Sequence, residues 1–162
     1  MLNPVPFFLT DLTAQPDPAA LESLRGAWRW LLGERWSPLL FSAIGDVFIE
    51  LPVGAIWWLS TATGDLEQVA DSREHFLRLL DGEQVDEWFL PGLVETLRSQ
   101  GKPLSPGQCY SFVTLPVFVA GSFSAENMFP CEAAEHFALS GQIHQSIRGL
   151  PDGTPVQVLF GP

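Results

Sequence analysis

Basic residues are scarce in this chain. Lys and Arg number 8 against 19 Asp and Glu, which gives 162 residues a formal net charge of −11. That balance argues against direct nucleic-acid binding, because a phosphate backbone is repelled on approach. It argues equally against an anionic membrane surface, and suits a basic protein partner or plain solubility. Cysteine is scarce too. Cys109 and Cys131 are too few for a disulfide framework and do not stand at metal-ligand spacing, so they are expected as small apolar core or strand residues. Long apolar runs are missing: Ala55–Leu59 and Leu115–Ala120 fall far short of the ~20 residues that a membrane span needs. No basic residue precedes the apolar stretch in Met1–Thr10, so no secretory signal is expected. A soluble protein of the reducing cytoplasm is the resulting expectation.

What remains is 46% hydrophobic and only 17% charged, a composition that buries a core and excludes disorder and coiled coil. The length fits one domain. Residues 1–37 read as an arm and a helix. The arm carries Pro4, Pro6 and Pro16 and packs through Phe7, Phe8 and Leu9. Asp17-Pro18 opens the helix as an N-cap followed by proline at the first helical position. Leu21, Leu24, Trp28, Leu31 and Leu32 form its apolar face, and Gly33 ends it as a left-handed cap. Gly26 marks a weak spot or a close approach by another element.

The period then changes to two. Val47, Ile49 and Leu51 alternate with Asp46, Phe48 and Glu50, the pattern of a half-buried strand. Turns at Pro52-Val53-Gly54 and Thr63-Gly64-Asp65 separate it from strands at Ala55–Ser60 and Leu66–Val69, and such short connections imply an antiparallel meander. Asp71-Ser72-Arg73-Glu74 resembles a capping box before a helix bearing Phe76, Leu77, Leu79 and Leu80. Residues 83–100 read as helix interrupted at Pro91 and stopped near Gly101, and 102–107 as loop. Strands are expected at Cys109–Val113, Val117–Val119 and Glu132–Phe137. A helix capped by Ser140 runs to Arg148 with Ile143 and Ile147 inward, and Thr154–Phe160 is a final strand within 151–162. The fold class is α+β: an antiparallel sheet with helices packed on it, as a single domain over 1–162.

No constellation of catalytic residues stands out. There is no Gly-rich phosphate loop, and Gly121-Ser122-Phe123-Ser124-Ala125 fails the nucleophile-elbow pattern at its last position. His136 and His144 lie near Glu132 and Glu135, but fit no His pair of a single helix. They are expected on different elements, with ring nitrogens hydrogen-bonded to backbone or carboxylate. His75 reads as a surface residue. No enzyme, cofactor or metal is expected, although a small hydrolase or metalloenzyme around His136 and His144 stays open as an alternative. Trp57 and Trp58 are adjacent on a strand and must point to opposite faces. Either both faces are covered, or one indole is an exposed interface anchor.

Charge is the strongest local signal. From Asp46 to Glu95 there are eleven acidic residues opposed only by Arg73 and Arg78, so the segment carries −9 of the total −11. Either this is a solvated face, or it is an acidic surface that steers and fills a cationic cleft. On the second reading the partner-binding candidates are Asp46, Glu50, Asp65, Glu67, Asp81, Glu83, Asp86, Glu87 and Trp58.

One ordered series of short motifs adds to this. Phe41-Ser42-Ala43-Ile44-Gly45-Asp46-Val47-Phe48 precedes Trp57-Trp58-Leu59 and Thr63-Gly64. Asp71-Ser72-Arg73-Glu74, Gly107-Gln108-Cys109-Tyr110-Ser111-Phe112, Gly121-Ser122, Glu126-Asn127, His136 and Gln142-Ile143-His144 follow in order. Over residues 38–150 this series resembles the C-terminal domain of type VI secretion immunity proteins, long catalogued as a domain of unknown function. It is also similar to the broader bacterial immunity domains related to yeast cell-wall regulators. The resemblance implies a non-catalytic immunity protein that binds and blocks a co-encoded toxin, often a DNase. Many members carry an N-terminal module resembling a glutamyl-tRNA-synthetase-associated domain, for which residues 1–37 are too short. A regulatory protein-binding module without a toxin is the alternative.

Overall fold

Asp17 and Pro18 begin the first helix as their chemistry dictates. Asp17 is extended, its carboxylate accepts the Ala20 N–H at 2.8 Å, and Pro18 occupies the first turn, where its missing N–H costs nothing. The computed structural model describes residues 9–159. The expected packing of Phe7 and Phe8, prolines 4 and 6, and Phe160 thus lie outside the described residues. Leu9 is exposed and Leu12 is the buried member of the short 3-10 turn Leu9–Leu12. Helix α1 (Pro18–Ala27) breaks at Trp28 and resumes as α2 (Arg29–Leu32). The apolar face survives the break: Leu24, Trp28 and Leu32 are buried, with Leu21 and Leu31 half-buried. Gly33 closes α2 at φ +70°, but ψ −154° takes it outside the left-handed helical region expected of it.

Four antiparallel strands follow in sequential order: β1 (Ser37–Phe41), β2 (Val47–Glu50), β3 (Ile56–Leu59) and β4 (Leu66–Ala70). The expected meander is thus present, with β1 as an addition that its Ser-Pro start concealed. The expectation of a half-buried β2 fails. Val47, Phe48 and Ile49 are all buried, because both faces of the sheet are covered. On one face, Val47, Ile49 and Leu59 pack with Leu24, Trp28, Trp36 and Phe137. On the other, Phe48 and Ile56 pack with Phe76, Trp88 and Phe89, the Phe48 ring centroid lying 5.0 Å from Phe76 and 5.2 Å from Trp88. Trp57 and Trp58 serve opposite faces and both end half-buried.

The second face is covered by α3 (Arg73–Leu79), α4 (Gln84–Phe89) and α5 (Pro91–Ser99). Ser72, not Asp71, caps α3. Its hydroxyl accepts the His75 N–H, and His75 Nδ1 accepts the Asp71 N–H at 3.2 Å, the role expected of Glu74. Pro91 separates α4 from α5 as expected, with Leu90 between them in the left-handed region at φ 46°, ψ 61°.

Strand β5 (Gln108–Phe112) pairs with β6 (Met128–Glu132), which places Cys109 opposite Cys131; both thiols are free. Burial raises both thiols, Cys131 to about 11, so neither is a reactive thiolate at neutral pH. Three expected strands are corrected. Residues 117–119 lie in consecutive tight turns, with Phe118 N–H bonded to Leu115 O and Gly121 N–H to Phe118 O. The strand expected at Glu132–Phe137 is instead the end of β6 and the start of α6 (Ala133–Ile147). Residues 154–159 form no strand, since no sheet edge pairs with them. Ser140 does not cap a helix. It sits inside α6 and its hydroxyl donates back to His136 O at 2.6 Å.

Helix α6 lies against α1 and presents Ala133, His136, Phe137, Ser140, Gly141 and His144 inward, with Ile143 and Ile147 only half-buried. That largely small and polar inner face hid the first half of the helix, 133–139, from apolar periodicity. Gly26 in α1 is exposed with open space beside it. The close approach occurs at Gly141, where a Cβ would stand 2.5 Å from the Ala27 carbonyl oxygen. Gly141→Ala, which in an exposed helix gains roughly 0.5–1 kcal/mol, is expected here to cost about 1–3 kcal/mol through overpacking. Urea denaturation of the two proteins checks the sign.

Candidate functional site

The turns at 42–46 and 60–65 link β1 to β2 and β3 to β4, so both lie at one end of the sheet. Asp46 sits where they meet. Its Oδ1 accepts the Thr61 backbone N–H at 2.9 Å, its Oδ2 accepts the Trp58 indole N–H at 3.2 Å, and Ser42 Oγ accepts the Asp46 N–H at 3.0 Å. The Thr61 hydroxyl lies 2.8 Å from both Gly45 O and His136 Nε2. His136 completes the cluster, with Nε2 3.1 Å from Gly45 O and Nδ1 2.7 Å from Ser111 Oγ. A carbonyl only accepts, so Nε2 carries the proton toward Gly45 O and Nδ1 accepts from the Ser111 hydroxyl. His144 lies two turns further along α6 and its Nε2 donates to Thr61 O at 2.8 Å.

The two histidines thus share one helix face, contrary to the expectation of separate elements. Their ring nitrogens are hydrogen-bonded to backbone, as expected, and also to hydroxyls. Glycine makes room for them. Gly45 (φ +87°) and Gly64 (φ +81°) adopt conformations that L side chains rarely hold, and a Cβ on Gly64 would come 2.6 Å from His144 Nδ1. A Cβ on Gly45 would overlap His136 Nε2. Among the described residues, no three His, Cys, Asp or Glu side chains gather as a metal cage. The Ser111–His136 contact lacks a carboxylate on the imidazole, and burial lowers His136 to about 4, which makes it a weak base at neutral pH.

Above this cluster opens a cavity of about 420 Å³, lined by Asp46, Trp58, Asp65, Glu67 and Glu87, with Leu90 and Phe123 as apolar walls. The register explains the gathering. Phe48 pairs with Trp58, and Trp58 with Glu67, so all three share one sheet face. The remaining acidic candidates lie elsewhere. Glu50 is bidentate to Arg73 at 3.0 Å, beside a separate cavity bordered by Asp71 and Glu74. Asp81 and Glu83 are exposed between α3 and α4, and Asp86 on α4. Asp46 needs correction as a surface residue. It is 3% exposed, because the Thr61 N–H and the indole of Trp58 hold its carboxylate inward. Leu90 and Phe123 were missed by sequence reasoning, and the one signal for Leu90 was its place before Pro91.

Residues 70–144, from the end of β4 to the inner face of α6, match the family model described as T6SS immunity protein Tdi1, C-terminal. The matched segment is thus similar to the C-terminal domain of type VI secretion immunity proteins. No curated protein matches the chain. The matched stretch holds Glu87, Ser111, His136 and His144, while Asp46, Trp58, Asp65 and Glu67 come from the strands and turns before it. The His136 contacts with Gly45 and Thr61 join the two parts. Among the described residues, no helix is long and apolar enough to cross a membrane.

The buried pair sets opposing pH dependences. Burial raises Asp46 from 3.8 to about 7, against the donors from Thr61 and Trp58 that favour its charged form. Burial lowers His136 from 6.5 to about 4. Between about pH 4 and 7 the folded state holds a proton on Asp46 that the unfolded chain releases, so Asp46 contributes less stability as pH rises. Between about pH 4 and 6.5 the unfolded chain holds a proton that folded His136 rejects, so His136 contributes more stability as pH rises. The two slopes largely cancel in the wild type. Asp46→Asn removes the first. Its stability is expected to climb relative to wild type from pH 4 to 7 by a few kcal/mol, because each tenfold change in proton affinity is worth about 1.4 kcal/mol. Urea titrations at pH 4.5, 5.5 and 7 check this.

Proposed function

We propose that this protein neutralises a cationic antibacterial toxin, a type VI secretion DNase effector, by stoichiometric, non-catalytic occlusion in the cytoplasm of the producing cell. The observation that carries the reading is the match over residues 70–144 to an immunity family, in a chain with net charge −11. A nuclease presents a cationic cleft to DNA, and an acidic protein competes for that cleft. The structure supports this electrostatically. Asp65, Glu67, Asp81, Glu83, Asp86 and Glu87 are all exposed, and among the described residues they enter no ion pair. Glu50, already paired with Arg73, contributes less.

The whole of residues 1–162 acts as one immunity domain in this reading, since the sheet and α6 share the Gly45–Thr61–His136 hydrogen bonds. The partner is a protein, not nucleic acid or membrane. Its interface covers about 1,200–2,000 Å² in total, the range of a stable inhibitory complex.

Co-expression with the toxin encoded beside this gene is expected to restore growth of toxin-producing cells. Replacing Asp81, Glu83, Asp86 and Glu87 by their amides is expected to slow association with purified toxin at least tenfold at low salt and far less at 0.5 M NaCl. Stopped-flow association rates measure this, and equal rates at every ionic strength would place the steering surface elsewhere.

A further inference from the structure

Asp46 is a buried carboxyl group with no counter-ion among the described residues. The described side-chain ion pairs are Arg29–Glu34, Arg73–Glu50 and Arg98–Asp11, and none reaches the cavity that Asp46 floors. Three more carboxylates rim that cavity from separate elements: Asp65 before β4, Glu67 on β4 and Glu87 on α4. Of these three, only Asp65 is held by a described neighbour, accepting from the Thr63 hydroxyl at 2.8 Å. Trp58 and Phe123 supply aromatic wall, and Leu90, held left-handed at the α4–α5 break, supplies aliphatic wall. A rim of negative charge between aromatic and apolar walls is complementary to one kind of side chain: long, apolar along its stem, flat and cationic at its tip.

We infer that this cavity is the receptor for a single arginine side chain of the bound toxin, its guanidinium lying against Trp58 and bridging Glu67 and Glu87 toward Asp46. The inference rests on the immunity reading for the owner of that arginine. Arginine fits better than lysine. The planar fork reaches carboxylates on different elements at once, sheds water more readily than an ammonium, and stacks on an indole. Binding there also gives Asp46 the counter-charge the fold denies it, and so favours the ionised form that burial disfavours in the free protein.

The cavity is tested without the toxin by titrating the ¹⁵N-labelled protein with N-acetyl-arginine methylamide. The readout is the Trp58 indole N–H resonance, assigned by its loss in Trp58→Phe. A saturable shift is expected, with no shift from the citrulline analogue, which keeps the shape without the charge. The double variant Glu67→Gln/Glu87→Gln, altered only at exposed rim positions, is expected to bind the probe at least tenfold more weakly. No shift, an equal shift with citrulline, or undiminished binding by the double variant overturns the inference.

A second arm uses the toxin. Loss of protection by the double variant, while Asp81→Asn/Glu83→Gln still protects, supports the inference. Toxin bound equally by wild type and double variant overturns it and leaves the immunity reading standing. A wild-type chain that fails to protect overturns the immunity reading, and the inference falls with it as a statement about a toxin.

Discussion

The fold turns on a buried hydrogen-bonded cluster in which one histidine joins four segments. His136 reaches the Gly45 carbonyl, the Thr61 hydroxyl and the Ser111 hydroxyl from the middle of α6. Each partner belongs to a different piece of chain: the β1–β2 turn, the β3–β4 turn and β5. Apolar packing alone is non-directional and tolerates sliding between layers. A polar cluster in a dry interior does not, because every lost partner leaves a desolvated group unpaired. The cluster thus fixes where α6 lies against the sheet, and Gly141 against Ala27 fixes how closely it lies on α1.

That constraint has an electrostatic consequence. Asp46 is drawn inward to accept from Thr61 and Trp58, and burial pushes it up to about 7. A carboxylate that must be paired for stability is normally given a cation within the same chain. Here neutral donors hold it, and among the described residues no ion pair reaches it. Carboxyl groups thus gather at one end of the sheet, Asp46 beneath Trp58 with Asp65, Glu67 and Glu87 around it. Trp58 has two structural tasks: its ring belongs to the aromatic layer with Phe48 and Trp88, and its N–H holds Asp46 in place.

Legibility from sequence followed the range of the interaction. The Asp17-Pro18 helix start, the meander and its reversals, and the α4–α5 break at Pro91 are set by residues within a few positions of one another. Each could be read from local chemistry. Of helix α6 only the second half could, from Ser140 onward. Besides Ala133 and Phe137 its buried face holds His136, Ser140, Gly141 and His144, residues that signal surface or turn in a sequence and become interior only when hydroxyls and carbonyls of distant segments meet them. The strand expected at 154–160 failed for the complementary reason, since alternating valines make a strand only where a sheet edge offers hydrogen bonds. Strand β2 read as half-buried because alternation describes one covered face, and the second cover comes from helices encoded later in the chain.

By itself the sequence determined the fold class, the excess of negative charge between Asp46 and Glu95, and a resemblance to immunity proteins that the match over 70–144 bears out. Tertiary structure alone decided how that charge is divided. It buried Asp46, tied Glu50 to Arg73, and set Asp65, Glu67 and Glu87 around Trp58, because strand register and a turn-to-helix hydrogen-bond cluster, not spacing along the chain, determine which carboxylates become neighbours.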